Sequence, residues 1–495
     1  MVVALESAPT ALDPRFTTDA NSSLLGSLIT NGLTRSDQHA EAVPDLAADW
    51  RQLSPLEYLF ILRSDARFHD GTPVTAADVA ATYRSVLDSR TGSPKREALA
   101  AIASIATPDE RTVVFRLREV SAAFLETTNL GILPAHLTTG PRSGSPSAGT
   151  RPIDARALIG AGPFRVSGAD AEGGVDLEPH AGYMNGPPRI ARLRFRILPD
   201  GVVRALELAS GTVHMVQNAL EPDLLPWLAA QPGLELLLSP GTTFQYLGVN
   251  FRDPRLADRR VRQALAYCLD REGIARHLLR DTARPASGLL PPSHWAYEGA
   301  VASYPHDPAR AEQLLIESGL GPQARREITR FSYKTSTVEL RRRIAEVFQE
   351  NLAAVGIGLD IRSYEWATFY ADIRRGNFEL YALAWVGVSD PDVYFRIFHS
   401  SMRPPAGNNR GEYSNRRMDA LLEAARRTAD RALRRRLYAR AQRLAAEDLP
   451  VVPLWWADNV VVKSRALTGF APAPDGDLAS LATATFAPAA ANPRR

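Results

Sequence analysis

In STVELRRRIAEVFQENLAAVG, the apolar residues Leu340, Ile344, Phe348, Leu352 and Val355 recur every three or four positions, which predicts an amphipathic helix. Gly356 stops it, and IGLDIRSY begins a strand. In HDPARAEQLLIESG, Asp307 suits an N-cap, Pro308 the first helical position and Gly319 the C-terminal cap. RRMDALLEAARRTAD and LRRRLYARAQRLAAED read as two further amphipathic helices with solvated Arg faces. Pro450 ends them, and PVVPLWWADNVVVK returns as strand. The first half of the chain is patterned differently. VVAL opens it as a strand. EYLFILRSD and RTVVFRLRE are rich in aromatic and aliphatic residues, as strands are, and VTAADVAATYRSVLD is helical. GPFRVSG, GVDLEPH and RLRFRILP read as strands, and GVVRALELASGTVHMV as a helix running into a strand. TTGPRSGSPSAGTRP is dense in turn residues and reads as an exposed loop. The tail beyond Ala471 is Ala- and Pro-rich and poorly patterned.

Strand segments at 242–251 and 451–463 bracket a helix-rich second half. A chain that crosses from one α/β lobe to another and later crosses back needs two such segments. The chain has 495 residues, of which 45% are hydrophobic and 23% charged. That is enough to build two or three cores. Lys and Arg number 58 against 55 acids, a net charge of +3, which argues for neither nucleic acid nor a membrane surface. The basic side is almost all Arg, since Lys occurs only at Lys95, Lys334 and Lys463. Cys268 is the one cysteine and is expected to be a buried structural thiol. No apolar run is long enough to span a bilayer. MVVALESAPTALDP turns polar too soon for a signal peptide, so either the protein is cytosolic or a targeting segment lies outside this numbering.

Signs of catalysis are weak. RFHDGTPVTAADV places His69 beside Asp70, but adjacent residues diverge on an extended strand and no third partner lies nearby. Gly71 and Pro73 mark a turn, and Thr75 and Asp78 have capping-box spacing, so this segment is expected to be scaffold. The nine histidines form neither HExxH nor a close His/Cys set, so no metal or cofactor is expected. IGAGPF is not a dinucleotide loop, and neither GxxxxGK[ST] nor GxSxG occurs. Aromatic and small polar residues are instead abundant at loop positions, in TTDANSS, AWVGVSDPD and PPAGNNRGEYSN. Ligand clefts are lined with such material, although Asp390 and Asp392 could equally cap the helix DVYFRIFHSS.

FHDGTPVTAADV resembles the signature segment of the family 5 extracellular solute-binding proteins, the peptide/nickel class of ABC-importer receptors. The resemblance covers nearly the whole chain. VVALESAPTALDP, PDLAADW, GAGPFRV, YLGVNF with VRQALAYCLDREGI, and YEWATFYADIRRGNFELYALAWVGVSDPD each resemble a family segment. It implies an α/β, two-lobed periplasmic-binding-protein-like fold with an extra subdomain inserted in the first lobe and two hinge strands. The expected division is 1–44, 160–245 and 465–495 for lobe 1, 45–159 for the inserted subdomain and 246–464 for lobe 2. The family binds its solute between the lobes, closes on it and delivers it to a membrane permease. This implies a monomeric, non-enzymatic receptor in the periplasm or at the cell-envelope exterior, for a peptide or other small polar solute. A cytosolic ligand-sensing domain of the same fold, or a receptor for a nickel chelate, sugar or opine-like solute, are the alternatives.

The expected ligand-binding residues are Asp19, Asn21, Lys334, Trp366, Trp385, Val388, Ser389, Asp390, Asn408 and Asn409. Two of them mark departures from the family's dipeptide and oligopeptide binders. Where those carry an Asp for the peptide α-ammonium, shortly after the cleft Trp, this chain has Val388, and Asp390 is the expected substitute. Where dipeptide binders carry an Arg for the ligand carboxylate, this chain offers Lys334.

Overall fold

The computed structural model describes residues 1–139, 152–320, 329–388 and 390–487. The chain forms two compact units, residues 1–239 with 459–495 and residues 240–458. The boundaries fall inside the strands Leu234–Val249 and Val451–Ser464.

In the first unit, the strand Val2–Leu5 lies between Leu193–Ile197 and Met215–Gln217 and runs parallel to both. Val175–Pro179 and Phe164–Ala169 continue the sheet antiparallel. The end of Val451–Ser464 pairs antiparallel with Met215–Gln217, setting Lys463 opposite Met215. Because side chains alternate along a strand, Val3 and Leu5 join one apolar cluster with Leu25, Phe164 and Phe195, while Ala4 joins another with Leu208 and Val213. A separate antiparallel sheet runs in the order Ala47–Ser54, Glu57–Leu62, Thr112–Leu117, Ile102–Ala106. Tyr58, Phe60 and Leu62 alternate onto its buried face. They share a core with Val79, Tyr83 and Val86 of the helix Ala76–Leu87.

That helix starts where the capping box predicts. Asp78 Oδ2 accepts the Thr75 backbone N–H at 2.9 Å, and its Oδ1 accepts from Ala135 N at 2.8 Å. His69 is scaffold as well. Its Nδ1 accepts the Gly160 N–H at 3.1 Å, and its Nε2 lies 3.2 Å from Gly162 O. Burial, with His180 edge-on at 5.0 Å, pushes its imidazole down to about 4. The tail beyond Ala471 carries more structure than its pattern suggests. Thr485–Phe486 pairs with Leu467–Thr468, and Leu481 and Ala484 are buried in the first unit's core.

In the second unit, Ile357–Tyr364, Thr329–Ser336 and Leu380–Trp385 lie side by side in parallel, and Leu380–Trp385 pairs antiparallel with Leu234–Val249. The helix Glu339–Ala354 buries Ile344, Phe348 and Leu352 on this sheet, following the period of the sequence. Cys268 is buried, donates to Asn351 O at 2.9 Å, and has its thiol pushed up to about 12 by burial. No helix among the described residues is long and apolar enough to cross a membrane.

Candidate functional site

Leu380–Trp385 is an inner strand of the second unit's sheet, and its last residue is Trp385. Its partner strand sets Phe244 opposite Trp385, Tyr246 opposite Leu383 and Gly248 opposite Tyr381. Gly248 is required there, because a Cβ would come within 2.3 Å of the Tyr381 ring. Trp385 stacks on its diagonal neighbour Tyr246, with ring centroids 6.3 Å apart and planes 9° apart. On the helix Trp366–Arg374, Trp366 and Tyr370 are one turn apart and stack at 5.6 Å. Trp366 is 51% exposed, whereas Tyr370 and Trp385 are partly buried.

Arg410 joins these two aromatic pairs. Its guanidinium carbon lies 5.0 Å from the Trp385 ring centroid and 5.6 Å from that of Tyr370, within cation–π range. Its Nη1 donates to Tyr246 Oη at 2.9 Å, and its Nη2 to Tyr370 Oη at 3.3 Å and Asn408 Oδ1 at 3.4 Å. The loop that presents it is held by Asn409. Asn409 Nδ2 donates to His399 O at 3.1 Å and to Tyr413 O at 2.7 Å, and its Oδ1 accepts from Tyr413 N at 3.0 Å. A recess of about 280 Å³ lies against Arg410, Asn408, Tyr246, Tyr381 and Tyr413. A more apolar cavity of about 410 Å³ is lined by Phe244, Tyr297, Tyr394 and Phe398. Burial pushes the Tyr246 and Tyr381 hydroxyls up, so both remain neutral phenols beside the cation.

Trp366, Trp385 and Asn408 therefore fall in one constellation, with Asn409 beneath it. Other expected site residues are committed elsewhere. Asp390 is not a free carboxylate, which corrects its expected role as substitute acid. Arg434 Nη2 donates to its two oxygens at 2.7 and 2.9 Å, both side chains are largely buried, and Asp390 Oδ1 also accepts the Asp392 N–H at 2.6 Å. The expected free cation at Lys334 is corrected in the same way. It is buried, donates to Asp372 Oδ2 at 2.5 Å and lies 5.2 Å from the Tyr364 ring centroid. Val388 is buried in the apolar cluster of Tyr394, Phe395 and Ile397, so it presents no polar group. Ser389 lies outside the described residues.

Asp19 and Asn21 belong to the first unit. Asp19 caps the helix Ala20–Ile29, accepting from Ser22 N at 2.8 Å, from Ser22 Oγ at 2.5 Å and from the Thr10 hydroxyl. Burial would raise its carboxyl, but these hydrogen bonds hold it below the usual range. Asn21 Nδ2 donates to Ser7 O at 2.9 Å and to Ser7 Oγ at 3.1 Å.

Tyr246, Tyr370 and Arg410 were not among the expected residues. Tyr246 shares a strand face with Phe244, and Tyr370 lies four residues after Trp366, so periodicity could have placed both rings. Only adjacency to Asn408 and Asn409 marked Arg410. Among the described residues, no group of three or more His, Cys, Asp or Glu is placed to hold a metal ion.

Residues 41–404 match the sequence profile of the bacterial extracellular solute-binding proteins, family 5 Middle. A dipeptide-binding protein of Pseudomonas aeruginosa is 26% identical over 499 residues, covering 96% of this chain and 92% of that protein. Among solved structures, an ABC transporter substrate-binding protein, CtaP from Listeria monocytogenes, superimposes with a TM-score of 0.87 at 24% identity, over 98% of this chain and 99% of its own. The oligopeptide-binding protein AppA from Bacillus subtilis, in complex with a nonapeptide, gives 0.83 at 24% identity over 98% of each chain. The fold is thus the two-lobed α/β fold of periplasmic binding proteins.

Proposed function

Because the chain belongs to the family 5 bacterial extracellular solute-binding proteins, we propose that it is the receptor of an ABC importer, taking a peptide-like or other small polar solute at the Trp385 face of its second unit. It works outside the cytoplasm and hands its solute to a membrane permease. The observation that carries the reading is the constellation of Trp385, Tyr246, Tyr370 and Arg410, in which flat rings gather around one directed cation and a recess lies against Tyr246 and Arg410. Such a surface binds by stacking and by a few oriented hydrogen bonds. Three neighbouring acids are already engaged, Asp372 by Lys334, Asp390 by Arg434 and Glu412 by Arg252 and Arg403, and the phenols are held protonated, so the arrangement suits capture and release without a covalent step.

The test is to purify the protein from its native host, denature it and identify released small molecules by mass spectrometry, with a ladder of dipeptides to nonapeptides titrated calorimetrically in parallel. The expected result is a released polar solute, or a peptide length that binds at micromolar concentration or below. No released solute together with no heat from any member of the ladder would overturn the reading.

A further inference from the structure

Five arginines are buried among the described residues: Arg15, Arg204, Arg262, Arg410 and Arg434. A buried guanidinium is costly unless its charge is compensated and its donors are engaged. Arg15 pairs with Asp13 at 2.7 Å, and Arg434 pairs with Asp390. Arg262 donates to the backbone carbonyls of Leu256, Ala257, Asp448 and Leu449. Arg204 donates to the carbonyls of Leu198 and Ala219. Arg204 and Arg262 thus make no ion pair among the described residues but spend their donors on backbone carbonyls, whereas Arg410 has neither a carboxylate nor a backbone carbonyl as partner. Its acceptors are two neutral phenols and one side-chain amide, and no carboxylate among the described residues forms an ion pair with it.

The surroundings keep that charge unanswered. Val388 puts an apolar side chain near the strand end, Asp390 is spent on Arg434, and Asp372 is spent on Lys334. The face therefore offers a cation that no carboxylate among the described residues pairs with, while Asp372 and Asp390 are spent. The phenols that accept from Arg410 can each donate their own hydroxyl proton onward. A recess lies against the guanidinium, lined also by Tyr246, Tyr381 and Asn408.

We propose that Arg410 receives a carboxylate of the solute, so that the solute is recognised at this face by its anionic end and not by an ammonium. The proposal rests on the receptor reading above. A guanidinium presents a planar fork that matches a carboxylate, with Tyr246 and Tyr370 holding the fork in place and donating to the same anion. The Trp385 and Tyr370 rings, centred 5.0 and 5.6 Å from the guanidinium carbon, offer aromatic surface beside a flat, delocalised group bound there. The solute's carboxylate would then be the counter-charge that the fold omits.

The experiment passes two N-acetylated tripeptide libraries, one of free acids and one of C-terminal amides, over immobilised wild-type protein, Arg410→Gln and Arg410→Lys. Retained peptides are quantified by mass spectrometry. Wild type should retain acids about tenfold or more over amides, the ratio expected for one hydrogen bond to a charged group. Arg410→Gln should lose that preference, and Arg410→Lys, which keeps the charge without the fork, should recover part of it. Circular dichroism melts establish that each variant is folded, and if Arg410→Gln is not, the wild-type ratio and Arg410→Lys decide. Equal retention of acids and amides by wild type, or an undiminished preference in folded Arg410→Gln, would overturn the assignment while leaving the receptor reading in place. Retention of neither library by wild type would remove the peptide reading, and the inference with it.

Discussion

Replacing Asp390 with Ala should destabilise the second unit without acting directly on solute binding. In the wild type, Arg434 Nη2 meets both Asp390 oxygens, with side-chain exposures of only 8% and 11%. Arg434 Nε is already buried without a partner, the rings of Trp295 and Tyr438 are each centred 5.5 Å from the guanidinium, and the nearby acid Asp392 is paired with Arg426. Removing Asp390 thus leaves a buried cation with little else to bind. Breaking a buried pair from one side costs about 3–5 kcal/mol. In a unit of about 150–250 residues, each kcal/mol is worth roughly 2–4 °C, so the melting transition should fall by roughly 6–20 °C. Urea unfolding followed by tryptophan fluorescence measures this directly, because Trp295 packs against the pair. Asp390→Ala/Arg434→Met, which removes both charges, should recover most of the loss, since replacing a buried pair by apolar groups is often nearly neutral. If Asp390→Ala unfolds within about 1 kcal/mol of wild type yet binds solute much more weakly, the pairing argument is wrong and Asp390 belongs to the ligand site.

Trp385→Ala should weaken solute binding by about 2 kcal/mol or more, as the loss of an aromatic anchor does, with the fold retained; unchanged affinity by calorimetry would place the site elsewhere. His69, held down at about 4 against about 6.5 unfolded, takes up a proton in the unfolded chain first. Its contribution is therefore complete above pH 6.5 and is lost as pH falls towards 4, amounting to about 2 kcal/mol by pH 5. In His69→Gln the drop in urea midpoint from pH 8 to pH 5 should shrink, and an identical drop in both proteins would contradict the linkage. Cys268 should resist thiol reagents at pH 8 until the protein unfolds, which a time course of labelling in rising urea would show.

What could be read from the chain was what depends on near neighbours. The alternation in EYLFIL and the spacing of Ile344, Phe348 and Leu352 express the geometry of a strand and of a helix, and the structure buries those residues. Asp78 reaches the backbone of a residue three positions away, so its role lies within a short window. Arg434 and Asp390 are 44 residues apart, and Lys334 and Asp372 are 38 apart. Nothing local distinguishes such a carboxylate from one left free, and for that reason Asp390 and Lys334 were expected to meet the solute. Arg410 escaped notice for the converse reason. An Arg in a loop is normally a solvated charge, and only packing by Tyr246, Tyr370 and Trp385 buries it.

The division of the chain also has a consequence for how the protein comes into being. The second unit is one uninterrupted stretch, residues 240–458, whereas the first is assembled from residues 1–239 and the chain's last segment. Its sheet needs Val461, Val462 and Lys463 to pair with Met215, Val216 and Gln217, a contact spanning nearly half the polypeptide. A nascent chain emerging from its N-terminus can complete the later unit while the earlier one still lacks its closing strand. The part made first is thus finished last, and until the C-terminal segment arrives the edge of Met215–Gln217 stays open to other strands. A chain interrupted shortly before residue 459 would keep an intact second unit beside a first that cannot close.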